Sequence, residues 1–424
     1  MGNTQTAVEK STPIVETAEA MEKKADNDED LMKSMMKALD YGPYLPTEEA
    51  DGIPSSITFR TVMALGLIVY VLAVTLPAAI LVLTLVLAKL LPYMYRTNDS
   101  AVARRKAWVE WTKSERCPKI WKDIMVDDEL VIEEKYWINS RGMALMTITT
   151  LPAKTPIKGV VCSCHGYTEN AGFLKRFEHA MFAKAGYAVL AIEYEGHGRS
   201  DGDITLVTDF QRLCKDVSEY FTEKLLNVEA LKGKRAFLMG ESMGGAVAYT
   251  VYNINPKLYS GVIFYAPMLK IADEMKPPQF VIDLILLLVG EIGSDSFVGT
   301  LPLSPTADIQ KAVFKETRKR YFALNHPLRY SQLPRLATSR ELIEITNQIE
   351  KSMETFEAPF LLLHGGADTV TDPNLSKEFY KRSCSNDKTF HLYDGMWHSL
   401  IHGEPKENGG KVMCDIINWL NKRV

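Results

Sequence analysis

The amino-acid sequence predicts an α/β protein with a mostly parallel sheet covered by helices on both faces. From about residue 125, short apolar runs alternate with helical stretches, as in chains that build parallel sheets. This alternation lapses between about residues 268 and 354, which predicts a helical cap inserted into the domain. A long uncharged apolar stretch near the N-terminus adds a predicted transmembrane segment.

Length and composition limit the possible classes of protein. A chain of 424 residues can form one large domain or two smaller ones. Its hydrophobic fraction of 46% and charged fraction of 24% are ordinary for a globular protein. The net charge of −4, without a long basic run, gives no reason to expect a nucleic-acid partner. Six cysteines without CxxC spacing or a histidine cluster predict neither a metal site nor a cofactor.

Residues 1–57 are polar and are expected to be disordered, because they carry too little apolar surface to fold alone. The chain begins Met-Gly-Asn-Thr-Gln-Thr, which fits the loose N-myristoylation pattern at Gly2. Because that pattern is permissive, a chance match is the favoured interpretation.

Residues 58–95 are predicted to be a transmembrane or re-entrant segment. The stretch 61–88 has no charged residue and is rich in Leu, Val, Ala and Ile. Basic residues cluster on its C-terminal side: Arg96, Arg104, Arg105 and Lys106. This bias predicts a cytosolic catalytic region after a helical juxtamembrane linker at 96–124. Pro77 removes a helical hydrogen bond near the middle, so a single span and a hairpin with both ends cytosolic remain open.

The region after residue 124 contains eight predicted strands. They lie at 130–137, 145–150, 159–164, 188–193, 236–239, 261–266, 360–364 and 389–393. A turn at 139–142 joins the first two, which predicts an antiparallel hairpin at the start of the sheet. Helical stretches at 173–184 and 210–226 lie between later strands. The predicted domain has a first core part at 125–268, the cap at 269–354 and a second core part at 355–424.

The central motif is Gly240-Glu-Ser-Met-Gly-Gly245. An apolar strand enters it and a helical sequence leaves it, which is the strand–turn–helix setting of a nucleophile elbow. Such a turn holds the serine in a strained conformation, and the small glycines allow the chain to pass close by. Ser242 is therefore the predicted nucleophile.

A nucleophilic serine needs a base and an acid that orients the base. Asp368 and His398 each follow a predicted strand, and the order Ser, Asp, His is the one expected for an α/β-hydrolase. Asp372 and Asp394 are rival acids, and His391 and His402 are rival bases. The predicted oxyanion donors are the backbone N–H groups of Tyr167 and Met243.

The motifs together resemble the monoacylglycerol lipase-like family of α/β-hydrolases, including its plant-type caffeoylshikimate esterase and lysophospholipase-like branch. The matching pieces start at His165-Gly-Tyr, Gly196-His-Gly, Gly240-Glu-Ser, Ala266-Pro-Met, His364-Gly-Gly and Trp397-His-Ser. The resemblance implies hydrolysis of a monoacylglycerol or related small ester without a cofactor. It leaves the oligomeric state open and gives no counterpart for the apolar segment.

The Ser–Asp–His pattern is also compatible with two other functions. An acyltransferase would use the same Ser242, Asp368 and His398, with an alcohol in place of water. A non-catalytic interaction protein could also keep this fold, although such proteins are expected to lose a triad member. The predicted cap carries an apolar run at 280–290, which favours an acyl chain or an aromatic ester as substrate.

Overall fold

The computed structural model describes residues 100–270, 283, 299–302 and 309–424. An eight-stranded sheet lies at its centre, in the order β1-β2-β4-β3-β5-β6-β7-β8. The strands are β1 (Leu130–Ile138), β2 (Ala144–Pro152), β3 (Gly159–Cys164), β4 (Tyr187–Ile192), β5 (Ala236–Glu241), β6 (Gly261–Tyr265), β7 (Phe360–Gly365) and β8 (Lys388–Tyr393). Each of them overlaps one of the predicted strands.

The strand directions match the predicted sheet. In the described sheet, β2 runs antiparallel to both of its neighbours, β1 and β4, and the remaining pairs are parallel. Gly142 has a φ of 78° in the turn between β1 and β2, a left-handed conformation that glycine adopts without a steric penalty. The prediction of a mostly parallel sheet that opens with an antiparallel hairpin is confirmed.

Helices cover both faces of the sheet. Those described are α1 (Ala101–Lys113), α2 (Lys119–Met125), α3 (Lys175–Lys184), α4 (Phe210–Asn227), α5 (Met243–Ile254), α6 (Ile309–Val313), α7 (Thr317–Leu324), α8 (Leu336–Ser352), α9 (Pro373–Arg382) and α10 (Lys406–Asn421). Successive strand residues point to opposite faces. Val160 and Cys162 of β3 pack in one cluster with α4, α5, α8 and α9, whereas Val161 packs with α3 and α10.

The described part of the insertion between β6 and β7 contains the helices α6, α7 and α8. The predicted cap extends to residue 354, but α8 buries Ile345 and Ile349 against the same core cluster as α4 and α5. These two isoleucines stand at i, i+4 spacing and form an apolar stripe that faces the sheet. Helix α8 therefore packs on the core of the domain, and the predicted boundary between the cap and the second core part at residue 355 stays a prediction. The apolar run at 280–290 lies outside the described residues, apart from Asp283.

The predicted linker at 96–124 contains α1 and most of α2, and both helices pack against the catalytic domain. Arg104 of α1 is buried and donates hydrogen bonds to the carbonyl oxygens of Gly198 at 2.8 Å and Ser200 at 2.6 Å. The described part of this segment is thus a fixed part of the domain.

The predicted segment at 58–95 and the polar residues 1–57 lie outside the described residues. Among the residues that the structure describes, no helix combines the length and the apolar character needed to cross a membrane.

Candidate active site

Ser242 occupies a sharp turn between β5 and α5. Its φ of 54° and ψ of −122° lie in a region that costs a non-glycine residue about 1–3 kcal/mol. The turn is held by its own backbone, because the Ser242 carbonyl accepts hydrogen bonds from Gly245 N at 2.9 Å and Met268 N at 2.8 Å. The serine is only partly buried and stands at the carboxyl end of the parallel strands.

Glycines make this turn possible. A Cβ atom on Gly240 would lie 2.1 Å from the carbonyl oxygen of Gly244. A Cβ atom on Gly244 would lie 2.1 Å from the carbonyl oxygen of Cys164 in β3. Both distances are too short for any side chain, so the strand, the turn and the helix can approach only with glycine at these positions. The strand–turn–helix setting predicted for Ser242 is present.

The structure brings Asp368 and His398 together from the ends of β7 and β8. His398 Nδ1 lies 2.8 Å from Asp368 Oδ2, and both residues are more than nine-tenths buried. Burial alone would raise the pKa of Asp368, but the charge of His398 and a hydrogen bond from His364 hold that pKa below its ordinary value. Burial alone would lower the pKa of His398, but the charge and hydrogen bond of Asp368 raise it.

The predicted contact between Ser242 and His398 is not formed in the way that the contact between Asp368 and His398 is. In the described part of the chain, no hydrogen bond joins the Ser242 hydroxyl to His398. Structures without substrate often show this bond long or poorly aligned. The structure therefore joins the acid to the base, but it does not join the base to the serine.

Three of the four rival residues are engaged elsewhere, and the fourth, Asp394, is exposed. Asp372 is the N-cap of α9. His391 Nδ1 lies 3.3 Å from Asp415 Oδ2. His402 Nε2 lies 2.6 Å from Glu178 Oε1. These three contacts support local structure. Among the described candidate acids and bases, Asp368 and His398 are the pair that lies within hydrogen-bond distance of each other.

Two neighbours of Asp368 were given no role from the sequence. The Thr371 hydroxyl donates to Asp368 Oδ2 at 2.8 Å, and His364 Nε2 lies 3.1 Å from the same oxygen. His364 is fully buried, and its Nδ1 lies 2.7 Å from the Ser376 hydroxyl. The sequence does place polar residues close to the predicted acid, because His364 lies four positions before Asp368 and Thr371 lies three positions after it. Whether those side chains face the carboxylate depends on the path of the loop.

The loop after β3 carries one of the two predicted oxyanion donors. Gly166 N donates to Glu169 Oε2 at 2.9 Å, and Thr168 has a left-handed φ of 63°, so the loop forms a tight turn around Tyr167. The other predicted donor, Met243, is the first residue of α5. Neither the Tyr167 N–H nor the Met243 N–H donates to an acceptor in the described part of the chain. Both donors remain available for an anionic oxygen.

A buried group of charged residues lies behind the serine, and we call it the Lys175 cluster: Lys175, Glu178, Glu241, Tyr265 and His402. Lys175 Nζ lies 3.0 Å from Glu178 Oε1 and also contacts the Glu241 carboxylate and the Tyr265 hydroxyl. Burial alone would raise the pKa of Glu178, but Lys175 and His402 lower it to about 2. The cluster therefore contains the ionised carboxylate of Glu178, and another of its members, Glu241, directly precedes Ser242.

An open sheet with the serine turn after β5 and a buried Asp–His pair after β7 and β8 defines an α/β-hydrolase. Residues 155–406, more than half of the chain, match the family described as serine aminopeptidase, S33. The chain belongs to this family, within its monoglyceride lipase-like group, and it is a carboxylic ester hydrolase of the serine type. The family resemblance seen in the sequence motifs is confirmed.

Two relatives show how far the sequence similarity extends. The caffeoylshikimate esterase of Arabidopsis thaliana is 33% identical over 295 residues, which covers 69% of this chain and 87% of that protein. The monoglyceride lipase of Mus musculus is 27% identical over 288 residues, covering 68% and 90% of the two chains. Both similarities span most of the relative's length.

Solved structures support the fold. A soluble variant of monoglyceride lipase from Saccharomyces cerevisiae, in complex with a substrate analog, superposes with a TM-score of 0.59 at 21% identity. The match covers 69% of this chain and 95% of that chain. The monoacylglycerol lipase of Paleococcus ferrophilus gives a TM-score of 0.54 at 23% identity, covering 70% and 100%. At these identities the likeness concerns the fold alone.

Proposed function

We propose that this chain is a membrane-tethered hydrolase that cleaves monoacylglycerols or lysophospholipids through an acyl-serine intermediate. The observation that carries the proposal is the strained turn of Ser242 on the same sheet edge as the buried Asp368–His398 pair. The names of the relatives, monoglyceride lipase and caffeoylshikimate esterase, support an ester of a lipid or of an aromatic acid. The monoglyceride lipases favour the lipid ester.

In the proposed reaction, Ser242 Oγ attacks the ester carbonyl carbon while His398 Nε2 takes the hydroxyl proton. The tetrahedral intermediate then collapses, the bond to the alcohol oxygen breaks, and His398 returns the proton to that alcohol. Water attacks the acyl-serine with the same histidine as base. The carboxylic acid leaves and the Ser242 hydroxyl is restored. Asp368 stays ionised and holds Nδ1, so that Nε2 faces the serine.

The proposed oxyanion site consists of the backbone N–H groups of Tyr167 and Met243. Met243 lies at the N-terminus of α5, where the helix dipole adds partial positive charge. The free state of both N–H groups supports this role, because fixed donors need no reorganisation when charge develops.

The proposed lipid substrate and the proposed membrane location are both supported by the sequence. The apolar run at 280–290 belongs to the sequence inserted between β6 and β7 and favours an acyl chain over a charged substrate. A segment at 58–95 would hold the catalytic domain close to a bilayer that contains such lipids, with the domain on the cytosolic side. Residues 1–57 would then be a polar extension beyond the tether.

The test is a hydrolysis panel on the purified full chain in detergent, with a monoacylglycerol, a lysophospholipid and a caffeoyl ester. Ser242→Ala is expected to lower kcat at least about 1000-fold, because the nucleophile is lost. Ser260→Ala is the matched control, since Ser260 lies just before β6, at the opposite end of the strands. A phosphonate probe is expected to label Ser242 in the wild-type chain.

The outcomes separate the competing functions. Unchanged ester hydrolysis by Ser242→Ala would contradict the proposed nucleophile. A new ester in place of free acid, formed with excess alcohol present, would point to an acyltransferase. A wild-type chain that neither turns over any ester nor reacts with the probe would point to a non-catalytic interaction protein. Preference for the caffeoyl ester would overturn the proposed substrate but not the reaction.

A further inference from the structure

Helices α1 and α2 lie outside residues 155–406, which the family match covers, yet they contact the loops that border the proposed site. Their aromatic side chains form a compact group with residues of the loop after β3 and of the insertion. We call this group the tryptophan cluster: Trp108, Trp111, Trp121, Phe173, Phe322 and His326. Every member is at least nine-tenths buried, so the cluster lies inside the domain and not on its surface.

The cluster holds the end of the loop that carries Tyr167. The indole Nε1–H of Trp121 donates to the carbonyl oxygen of Gly172 at 3.2 Å. Arg176 shares this carbonyl through its Nε at 3.1 Å, and its guanidinium lies over the Trp121 ring at 4.7 Å. The next residue, Phe173, packs in a T-shaped arrangement with Trp111, with ring centroids 5.5 Å apart. The path of the chain at 172 and 173 is thus set by α1 and α2.

Hydrogen bonds connect Gly172 to the turn around Tyr167. Gly172 N donates to Asn170 Oδ1 at 3.1 Å. Glu169, next to Asn170, accepts from Gly166 N at 2.9 Å. A movement of Gly172 would therefore pass along a short, bonded stretch of backbone to the Tyr167 N–H. This connection runs through the side chains of Asn170 and Glu169, which both accept hydrogen bonds from backbone N–H groups.

Helix α1 also fixes a second loop, after β4, that packs against the first. Arg104 donates to three carbonyl oxygens of this loop, those of Gly198, Ser200 and Gly202. The Arg199 guanidinium lies over the Trp108 ring, 4.6 Å from its centroid. Arg199 is buried and pairs with Glu193 at 2.9 Å. The two loops are in close contact, since a Cβ atom on Gly172 would lie 2.7 Å from Arg199 Nη2.

The insertion meets the same cluster. Phe322 of α7 stacks on Phe173 with ring centroids 4.8 Å apart, and His326 lies 4.0 Å from Phe173. Asn170 Nδ2 is 3.4 Å from His326 Nε2. Burial lowers the pKa of His326 to about 3, so this contact keeps the same charge at physiological pH. Helices α1 and α2, the loop after β3 and the insertion therefore pack against one another in the tryptophan cluster.

We propose that α1 and α2 are a positioning element for the oxyanion site, with Trp121 as the positioning residue that fixes the loop after β3. This inference rests on the proposed function, because it takes the Tyr167 N–H as an oxyanion donor. Oxyanion donors act on the transition state, so a displaced loop reduces kcat rather than substrate binding. Displacement of a catalytic group by about 1 Å can cost on the order of 100-fold in rate.

The test compares two matched substitutions in the full chain. Trp121→Phe keeps an aromatic ring and removes the N–H donor to Gly172. Trp137→Phe makes the same change in β1, where the indole donates to exposed Glu223 at 2.7 Å, away from the site. Trp121→Phe is expected to lower kcat about tenfold with little change in KM, consistent with a weakened oxyanion interaction. The affinity for a trifluoromethyl ketone, which forms a tetrahedral oxyanion with the serine, should fall by a similar factor.

The second variant is Arg105→Gln, which removes the hydrogen bond from α1 to the Arg199 carbonyl oxygen at 2.8 Å. Arg105 is partly exposed, so this variant tests the same element if Trp121→Phe does not fold. It should lower kcat and ketone affinity together, by a smaller factor.

The readouts distinguish positioning from stability. If both α1–α2 variants lower the melting temperature but leave kcat and ketone affinity unchanged, the helices only stabilise the fold and the proposal is wrong. An equal effect of Trp137→Phe would also overturn it. A wild-type chain that neither hydrolyses esters nor binds the ketone would contradict the proposed function instead.

Discussion

Asp368 Oδ2 lies within hydrogen-bond distance of three side chains, those of His398, Thr371 and His364. Its other oxygen accepts the backbone N–H groups of Val370 and Thr371, at 2.7 Å and 3.1 Å. A buried carboxylate with this many donors stays ionised, because hydrogen bonds to the charged form offset the cost of burial. At the scale of the residue, the acid is fixed in both charge and direction before substrate binds.

The pairing of Asp368 with His398 predicts a pH dependence. The proposed base must be neutral, so kcat/KM should fall as pH decreases through the pKa of His398, and that pKa lies above its ordinary 6.5. Asp368→Asn removes the charge that raises this pKa. The acid limb should then move to lower pH, and the rate at its plateau should fall by about 1000-fold or more. The measurement is a pH profile of kcat/KM with an activated aryl ester.

Asp372→Asn is the control for this profile. Asp372 is close in sequence and caps α9 through a hydrogen bond from Asn374 N at 2.8 Å, which asparagine can also accept. Its profile should match that of the wild-type chain. An acid limb that stays in place in Asp368→Asn, or moves in Asp372→Asn, would show that Asp368 does not set the pKa of the base.

The Lys175 cluster acts at the scale of whole elements. Lys175 and Glu178 belong to α3, Glu241 ends β5, Tyr265 ends β6, and His402 follows β8. One buried ammonium group therefore ties a helix to the strand that leads into the nucleophile turn. Charges taken out of water need partners, and here two carboxylates depend on Lys175 as a shared cation.

Lys175→Met is expected to destabilise the domain by about 3–5 kcal/mol, because it leaves buried carboxylates without their cation. Lys119→Met is the matched control: Lys119 makes a solvent-exposed ion pair with Asp123 in α2, which contributes less than about 1 kcal/mol. Guanidinium unfolding of both variants, followed by tryptophan fluorescence, measures the free energy of unfolding. Similar losses in the two variants would contradict a structural role for the cluster.

At the scale of the whole molecule, 12 residues, 89–100, separate the apolar stretch at 61–88 from α1, which packs on the catalytic domain. A tether at 58–95 would therefore join the bilayer to a rigid part of the enzyme. With such a tether, the side of the membrane on which residues 1–57 lie would depend on the effect of Pro77. A single span places them opposite the catalytic domain, and a hairpin places them on the same side.

The substitution Glu29→Thr creates a glycosylation acceptor at Asn27 and reports on this topology. A single span with a cytosolic catalytic domain predicts that the acceptor is glycosylated in microsomes, because residues 1–57 face the lumen. The unmodified chain should show no such mass increase, since Asn98 and Asn374 would face the cytosol. Absence of glycosylation together with carbonate-resistant membrane association would favour the hairpin. Extraction of the chain by carbonate would contradict either form of tether.

Much of the fold could be predicted because its signals are local. The central strands β3 to β7 are short, mostly apolar runs bounded by turn residues. Ser242 stands in a motif whose strand and helix are adjacent in sequence. Asp368 and His398 could be assigned because residues at the ends of parallel strands meet at one edge of a sheet. The sequence by itself therefore determined the strands, their mostly parallel arrangement and the three triad candidates.

The tertiary structure decided which side chains meet across the chain. Glu178 and His402 are 224 residues apart, and Arg104 and Gly198 are 94 apart, so no local pattern links them. Their contacts depend on the order in which the strands assemble and on the paths of the loops. The partners of Asp368, the Lys175 cluster, the packing of α8 into the core and the attachment of α1 and α2 therefore appeared only in the folded chain, because they arise from long-range packing.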